Sequence, residues 1–143
     1  MDELNVTSPG TQGAAGHQAA VIVFENRGSR TCVLTGYPGV AALDQSGHQV
    51  AQAERTPTGS IGGLSSAGEA LPVVTVAPAG KASATVEGTS VPVGGASGCP
   101  TYSALEVTAP GETRSARLDV GLPGCSPLQV HPVVAGTTGS ERH

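Results

Sequence analysis

The sequence contains few aromatic and few basic residues. Its 143 residues include no Trp, one Phe and two Tyr, and only seven Lys and Arg in total. A nucleic-acid surface needs clustered positive charge along the phosphates and aromatic rings on which bases stack. The basic residues here are scattered, and the formal net charge is −4. We therefore expect no nucleic-acid partner.

Long apolar runs are also missing. No segment approaches the roughly 20 apolar residues that a membrane-spanning helix needs. The opening residues, MDELNV, lack the basic head and apolar centre of a signal peptide. The sequence therefore predicts no membrane span. Attachment to a membrane is expected only through an N-terminal lipid anchor, which this chain does not contain.

The abundant residues are those of strands and turns. The chain has 17 Val, 14 Thr, 21 Gly and 11 Pro. Branched Val and Thr side chains pack well on a pleated sheet, and frequent Gly and Pro interrupt any helical pattern. Turn signals about every 8–12 residues are typical of a β-sandwich. The sequence predicts an all-β, antiparallel sandwich of about 8–10 short strands with little or no helix.

A single β-sandwich domain is predicted over residues 1–136, followed by a flexible C-terminal tail at 137–143. Residues 56–68, TPTGSIGGLSSAG, show no apolar periodicity and are predicted as a flexible loop. A second glycine-rich loop covers residues 91–98. The predicted strands are residues 4–7, 17–26, 31–35, 40–43, 48–51, 71–76, 81–87, 105–108, 116–120 and 128–134.

The three cysteines, Cys32, Cys99 and Cys125, form no C-x-x-C pair, which disfavours zinc binding and thioredoxin-like chemistry. Cys99 and Cys125 each lie in a Pro/Gly-rich loop a few residues before a late strand. A disulfide between them closes a loop of about 25 residues and stabilises the fold by roughly 3–4 kcal/mol in the chain-entropy model. Because cytosolic proteins rarely keep such bonds, we expect an extracytoplasmic protein in which Cys32 is left over.

No catalytic residue is predicted. The run GASGC around Ser97 lacks the last glycine of a nucleophile elbow, and no helix is predicted after it. A Cys32 nucleophile requires a base that only the fold could bring near. The carboxylates that a hydrolase needs in one cleft are instead scattered over separate segments, namely Glu54, Glu69, Glu87 and Glu106.

No metal-binding or cofactor-binding residue is predicted either. The glycine-rich runs GTQGAAG and GSIGGL lack the strand-to-helix setting of a phosphate cradle. Metal ligation is disfavoured because no ligand spacing relates the four histidines, His17, His48, His131 and His143.

The stretch TCVLTGYPGV predicts a structural corner at Gly36, Tyr37, Pro38 and Gly39. Proline fixes its own φ and Gly39 permits a positive φ, so Tyr37 to Val40 is predicted to form a type II turn. Tyr37 is expected to pack its ring at the rim of the core and to bond its hydroxyl to nearby backbone.

Several segments together resemble an actinobacterial family of unknown function found in secreted proteins and lipoproteins. They are GAAGH (13–17), VIVFEN (21–26), TCVLTGYPGV (31–40) with the core C-x-L-x-G-Y-P-G-V, the Cys99 and Cys125 pair, and HPVV (131–134). The resemblance implies an extracytoplasmic, immunoglobulin-like sandwich with no known activity. It also implies a cysteine upstream of the first strand as the partner of Cys32, and this chain does not contain one.

The function predicted from these features is a non-catalytic extracytoplasmic module that binds an unknown protein or cell-envelope ligand. The end loops, residues 56–68 and 91–98, are expected to form the contact surface. Two alternatives stay open: a cell-envelope hydrolase or modifying enzyme, and an exported metal-handling sandwich. The first depends on whether the fold gathers two or more ionisable residues in one place, and the second on metal binding by His17, His48 or His131.

Overall fold

The computed structural model describes residues 4–14, 16–91 and 98–141, and within these ranges the protein is all-β. The described ranges contain no helix, so none that could cross a membrane is found there. The strands are β1 (Leu4–Thr7), β2 (Thr11–Ala14), β3 (His17–Asn26), β4 (Cys32–Thr35), β5 (Gly39–Leu43), β6 (Gln49–Gln52), β7 (Glu54–Arg55), β8 (Val73–Val76), β9 (Lys81–Thr89), β10 (Thr101–Tyr102), β11 (Ala104–Thr108), β12 (Ser115–Leu118), β13 (Leu122–Pro123), β14 (Gln129–Val130) and β15 (Val134–Ala135).

Two sheets and two ribbons form the sandwich. The larger sheet runs β1-β3-β9-β14-β7, with β2 also on β3 and β15 also on β9, and the smaller runs β12-β11-β5-β6. The ribbons are β4–β8 and β10–β13. All named pairings are antiparallel except β14 with β7. The predicted antiparallel β-sandwich is confirmed, although two-residue strands such as β7 and β13 raise the number of strands above the prediction.

The apolar core is formed by one side of each main strand. Ile22 and Phe24 of β3 are wholly buried, together with Leu105 and Val107 of β11. On both strands these side chains alternate with residues that point to the opposite face, because successive residues of a strand face opposite ways. Aliphatic packing therefore holds the two layers together in a chain that has one Phe and no Trp.

The strand predictions succeed where the sequence pattern is local and strong. The bounds of β1 and β3 agree with the predicted ranges. The predicted strand at 128–134 is broken into β14 and β15, because residues 131–133 leave the ladder. Strand β2, TQGA, was not predicted, because its short sequence lacks an apolar pattern and gains its pairing from the neighbouring β3.

The corner at Gly36–Gly39 differs from the type II turn predicted for it. Gly39 already belongs to β5 and pairs with Thr108, while the positive φ, 100°, falls on Gly36. Ladder pairing holds Gly39 extended, so the chain bends before Tyr37 rather than after it. The Arg55 guanidinium lies 6.0 Å from the centroid of the Tyr37 ring, and the Tyr37 hydroxyl has no hydrogen-bond partner in the described part of the chain.

The three cysteines take two different positions. Cys99 and Cys125 form a disulfide, with their Cα atoms 4.7 Å apart. Cys32 is a free thiol on the core side of β4 and is 3% exposed. Residues 92–97, which include Ser97 and most of the second predicted loop, lie outside the described residues, as does His143.

Candidate functional site

Both faces of strand β9 are buried. Ala84 and Val86 point into the apolar core, and the alternate residues Ser83, Thr85 and Glu87 point to the opposite face. Those three polar side chains are nevertheless buried as well. Two irregular segments cover this outer face of the larger sheet: the covering loop (residues 56–64) and the C-terminal segment (residues 136–141).

Glu87 binds the covering loop through its backbone amides. Its Oε1 accepts hydrogen bonds from the N–H of Ile61 at 2.9 Å and of Gly62 at 2.8 Å. Its Oε2 accepts one from the N–H of Ser60 at 3.1 Å. Three consecutive amides converging on one carboxylate fix the conformation of this part of the loop, because each bond needs its own direction.

His131 completes the buried cluster from the other side. Its Nε2 lies 2.9 Å from Oε1 of Glu87, and its Nδ1 lies 2.9 Å from the carbonyl oxygen of Thr56. A carboxylate can only accept, so Nε2 donates to Glu87, while Nδ1 also lies 3.0 Å from the hydroxyl oxygen of Thr56. His131 and Glu87 thus form a buried hydrogen-bonded pair in which the side chains are 0% and 3% exposed.

The electrostatics of Glu87 reflect opposing influences. Burial raises the pKa of its carboxyl, but the hydrogen bond and charge of His131 and the amides of Gly62 and Ile61 lower it by more. The net result is a pKa lowered to about 2. Glu87 is therefore ionised throughout the physiological range, the form that accepts all three amide hydrogen bonds.

Glycines allow the covering segments to lie this close. A Cβ added at Gly59 would overlap the side chains of both Glu87 and His131, and one added at Gly62 would overlap Thr85. In the C-terminal segment, a Cβ at Gly139 would also meet Thr85. The predicted flexible loop at 56–68 therefore contains a closely packed half, residues 56–64, whose glycines serve close approach to β9.

The C-terminal segment is bound by the remaining polar residues of β9. Thr85 Oγ1 donates to the carbonyl of Gly139 at 2.7 Å, and the N–H of Gly139 donates to Ser83 Oγ at 2.8 Å. The same segment contacts the covering loop, because the N–H of Glu141 donates to the carbonyl of Gly63 at 3.0 Å. Residues 137–141 are part of the predicted flexible tail. They lie against the outer face of β9, where Ser83 and Thr85 form hydrogen bonds with the backbone of Gly139.

An open groove of about 740 Å³ lies beside the C-terminal segment; we call it the acidic groove. Residues 72–75, at and before β8, form one wall, and residues 134–138 form the other. Glu69 and Glu141 also line it, and its described lining contains no Lys, Arg or His. The C-terminal segment that β9 holds in place therefore also forms part of a wall of the acidic groove.

One arrangement near Glu87 resembles part of a catalytic relay. Ser60 Oγ lies 3.3 Å from Nε2 of His17, and Nδ1 of His17 lies 3.9 Å from Oε2 of Glu87. The fold thus gathers His17, Glu87 and His131, which the sequence left far apart. The distance from His17 to Glu87 exceeds a hydrogen bond, so the carboxylate does not orient the imidazole as a relay requires.

The other residues considered from the sequence lie elsewhere. His48 is in the β5–β6 turn, where its Nδ1 lies 3.9 Å from Asp44 Oδ2. Glu54 is in β7 and Glu106 is in β11. Across residues 4–14, 16–91 and 98–141, no three His, Cys, Asp or Glu side chains are grouped so as to hold a metal ion.

The importance of Glu87 and His131 was missed at the sequence level. The alternation of Ser83, Thr85 and Glu87 with small apolar residues is that of a half-exposed strand. A signal was present in the glycine-rich run GSIGGL at 59–64, whose glycines allow a backbone to approach a buried polar group closely. Nothing in the sequence indicated which strand that loop would cover.

The fold and the cluster define a disulfide-containing, all-β sandwich with one outer sheet face covered by hydrogen-bonded loops. The chain belongs to the family described as domain of unknown function (DUF4232), whose family model matches residues 1–135. The expected membership of a family of unknown function is thereby confirmed. No curated protein and no solved structure matches the chain.

Proposed function

We propose that this protein is a non-catalytic binding module that works outside the cytoplasmic membrane and binds a protein or cell-envelope component in the acidic groove. The observation that carries the proposal is the groove itself. It is open, about 740 Å³ in volume, and lies between strand β8 and the C-terminal segment. Exposed grooves bounded by fixed backbone are typical of binding sites.

The extracytoplasmic location is supported by the disulfide between Cys99 and Cys125. Such bonds persist in oxidising compartments and are rare in the cytosol. The motif C-x-L-x-G-Y-P-G-V supports an actinobacterial source and a secreted or lipid-anchored protein. A thiol titration checks the pairing: we expect one reactive thiol, Cys32, after unfolding without reductant, and three after reduction. Three thiols without reductant would contradict it.

The binding surface proposed here differs from the loop surface expected from the sequence. Residues 56–64 are engaged with β9, and Leu64 is wholly buried. Within that loop Ser65 lines the acidic groove, as does Glu69 directly after the loop. Contact with a partner is therefore assigned to the groove, and the covering loop is assigned a supporting role.

Binding is tested by cosedimentation with isolated actinobacterial cell envelopes. We expect saturable binding of the native protein and a clear loss for Val73→Lys, which places a charge on the wall of the groove. Val33→Lys is the matched control, because Val33 lies on the same ribbon, is 59% exposed and does not line the groove. Equal binding of all three proteins, or none by the native protein, contradicts the proposal.

A hydrolase is the second candidate, and the proximity of Ser60 to His17 is the observation that favours it. Against it, both oxygens of Glu87 and both nitrogens of His131 are engaged in internal hydrogen bonds. Treatment with a fluorophosphonate, followed by intact-mass measurement, separates the two candidates. We expect no adduct, whereas an adduct that is lost in both Ser60→Ala and His17→Ala would favour the hydrolase.

A further inference from the structure

Strand β8 presents its edge to the acidic groove. Four consecutive residues, 72–75, line the groove, whereas a strand that presented a face would contribute only alternate residues. Along its other edge β8 pairs with β4. Among the described residues no strand pairs with the edge that faces the groove. The Val76 carbonyl accepts a hydrogen bond from Asn26 Nδ2 at 3.0 Å, and no strand of the described chain pairs with the groups of Val73 to Thr75 that face the groove.

The opposite wall repeats this feature. Among the strands of residues 4–14, 16–91 and 98–141, β15 pairs with β9 alone, and residues 134–138 line the groove consecutively. The four residues of β8 extend over about 13 Å, enough to pair with about four residues of an added strand. Val73, which is 70% exposed, provides an apolar contact for alternate side chains of that strand.

The charge of the groove selects the side chains of its ligand. Glu69 and Glu141 each accept one backbone hydrogen bond, from Ser66 at 3.0 Å and from Ser65 at 3.2 Å. Neither has an ion-pair partner within the described part of the chain. Two carboxylates, in a groove where none of the described lining residues is basic, favour a cationic ligand. A second copy of this chain, with net charge −4, would bring like charge.

We propose that the acidic groove binds an extended segment of a partner polypeptide, carrying Lys or Arg side chains among apolar ones, as a strand added to the free edge of β8. Backbone hydrogen bonds to β8 supply affinity, and the carboxylates of Glu69 and Glu141 select basic side chains. This inference rests on the proposed function and specifies the chemistry of its ligand.

The probe is a fluorescent octapeptide of alternating valine and lysine with blocked ends, and binding is measured by fluorescence anisotropy. Two matched peptides test the two parts of the proposal. One replaces every lysine with glutamate, and the other carries N-methyl groups on alternate amides, which removes strand donors and keeps the charge. We expect each change to weaken binding by about tenfold or more, equivalent to about 1.4 kcal/mol.

Variants of the protein locate the binding. Glu69→Gln removes one charge from the groove, and Glu106→Gln removes one from β11, outside it. We expect weaker binding of the valine–lysine peptide only for Glu69→Gln, with the difference shrinking as salt screens the charge. Val73→Lys abolishes binding and Val33→Lys leaves it unchanged. Equal effects of the members of either pair overturn the assignment to the groove.

The peptide and envelope experiments fail in distinguishable ways. If the native protein binds envelopes through Val73 but neither binds the valine–lysine peptide nor is displaced by it, the strand-addition inference is wrong and the proposed function stands. If the glutamate peptide binds as well as the valine–lysine peptide, the inferred selection by charge is wrong. If the N-methylated peptide binds as well, the inferred strand pairing is wrong. If neither envelopes nor peptide bind, both proposals fail.

Discussion

The two faces of strand β9 are both buried, but by different kinds of interaction. Ala84 and Val86 lie in an aliphatic core that is stabilised by the burial of apolar surface. Such a core tolerates substitutions that repack it, because apolar contacts need no particular direction. Thr85 and Glu87, on the other face, are covered through hydrogen bonds to irregular backbone, each of which needs its own partner and direction. Buried apolar residues such as Leu64 also contribute to this face, but its closure depends in addition on the ionisation of Glu87 and on glycine.

The largest expected effect is on the apolar face. Phe24→Ala removes the most voluminous of the fully buried side chains and leaves a cavity between the layers. We expect the free energy of unfolding to fall by about 3–5 kcal/mol. Because no ionisable group takes part, urea unfolding at pH 7 and at pH 3 should give the same loss. A loss that depends on pH would mean that the two faces are not independent.

Glu87→Gln tests the polar face through its dependence on pH. The pKa of Glu87 lies at about 2 when folded, against 4.5 for the ordinary carboxyl. Between pH 2 and 4.5 the carboxyl of Glu87 binds more protons in the unfolded chain than in the folded protein. Its contribution to the free energy of unfolding is therefore fully present above about pH 4.5 and is lost as the pH falls towards 2. We expect this acid loss to be about 3 kcal/mol in the native protein and absent in the variant. Parallel pH profiles of urea unfolding would contradict the prediction.

Gly59→Ala tests the requirement of the polar face for glycine. The added methyl group overlaps the buried Glu87 and His131, so the covering loop must move away from β9. We expect a loss of about 1–3 kcal/mol. Gly68→Ala is the control, since a Cβ there meets nothing within 4 Å. Thermal unfolding of the two variants should separate them clearly, and similar melting temperatures would show that the loop does not need close approach.

The smallest effect is expected from Thr85→Val. This substitution keeps the shape of the side chain but removes the hydroxyl that donates to the carbonyl of Gly139. We expect a loss of about 1–2 kcal/mol, together with faster amide exchange in residues 136–141. Unchanged exchange in that segment would show that Thr85 does not hold the wall of the acidic groove.

Local features of the sequence were predicted well. The four-residue turn after β5 has Asp44 at its start and Gly47 at its end, and the structure places them in that order. Asp44 Oδ1 accepts hydrogen bonds from the N–H groups of Ser46 and His48, at 2.9 and 3.0 Å. All these partners lie within four residues of one another, so the residue types alone are enough to specify the turn.

Features that depend on distant partners were not predictable in the same way. Gly39 looked suited to a positive φ, but its pairing with Thr108 keeps it extended. The run at 56–64 looked like a flexible loop until its amides met a carboxylate 25–27 residues further along the chain. In each case the deciding contact comes from another strand, and residue preferences carry no information about which strand that is.

The sequence by itself determined that this protein is an all-β sandwich, because Val, Thr, Gly and Pro act through local backbone preferences. The tertiary structure alone decided which polar residues meet. Glu87 and His131 are 44 residues apart and come together because β14 pairs with β9 in the register that sets Gln129 opposite Glu87. Register depends on the fit of whole layers, so the covered face, its buried Glu87–His131 hydrogen bond and the acidic groove arise only when the layers assemble.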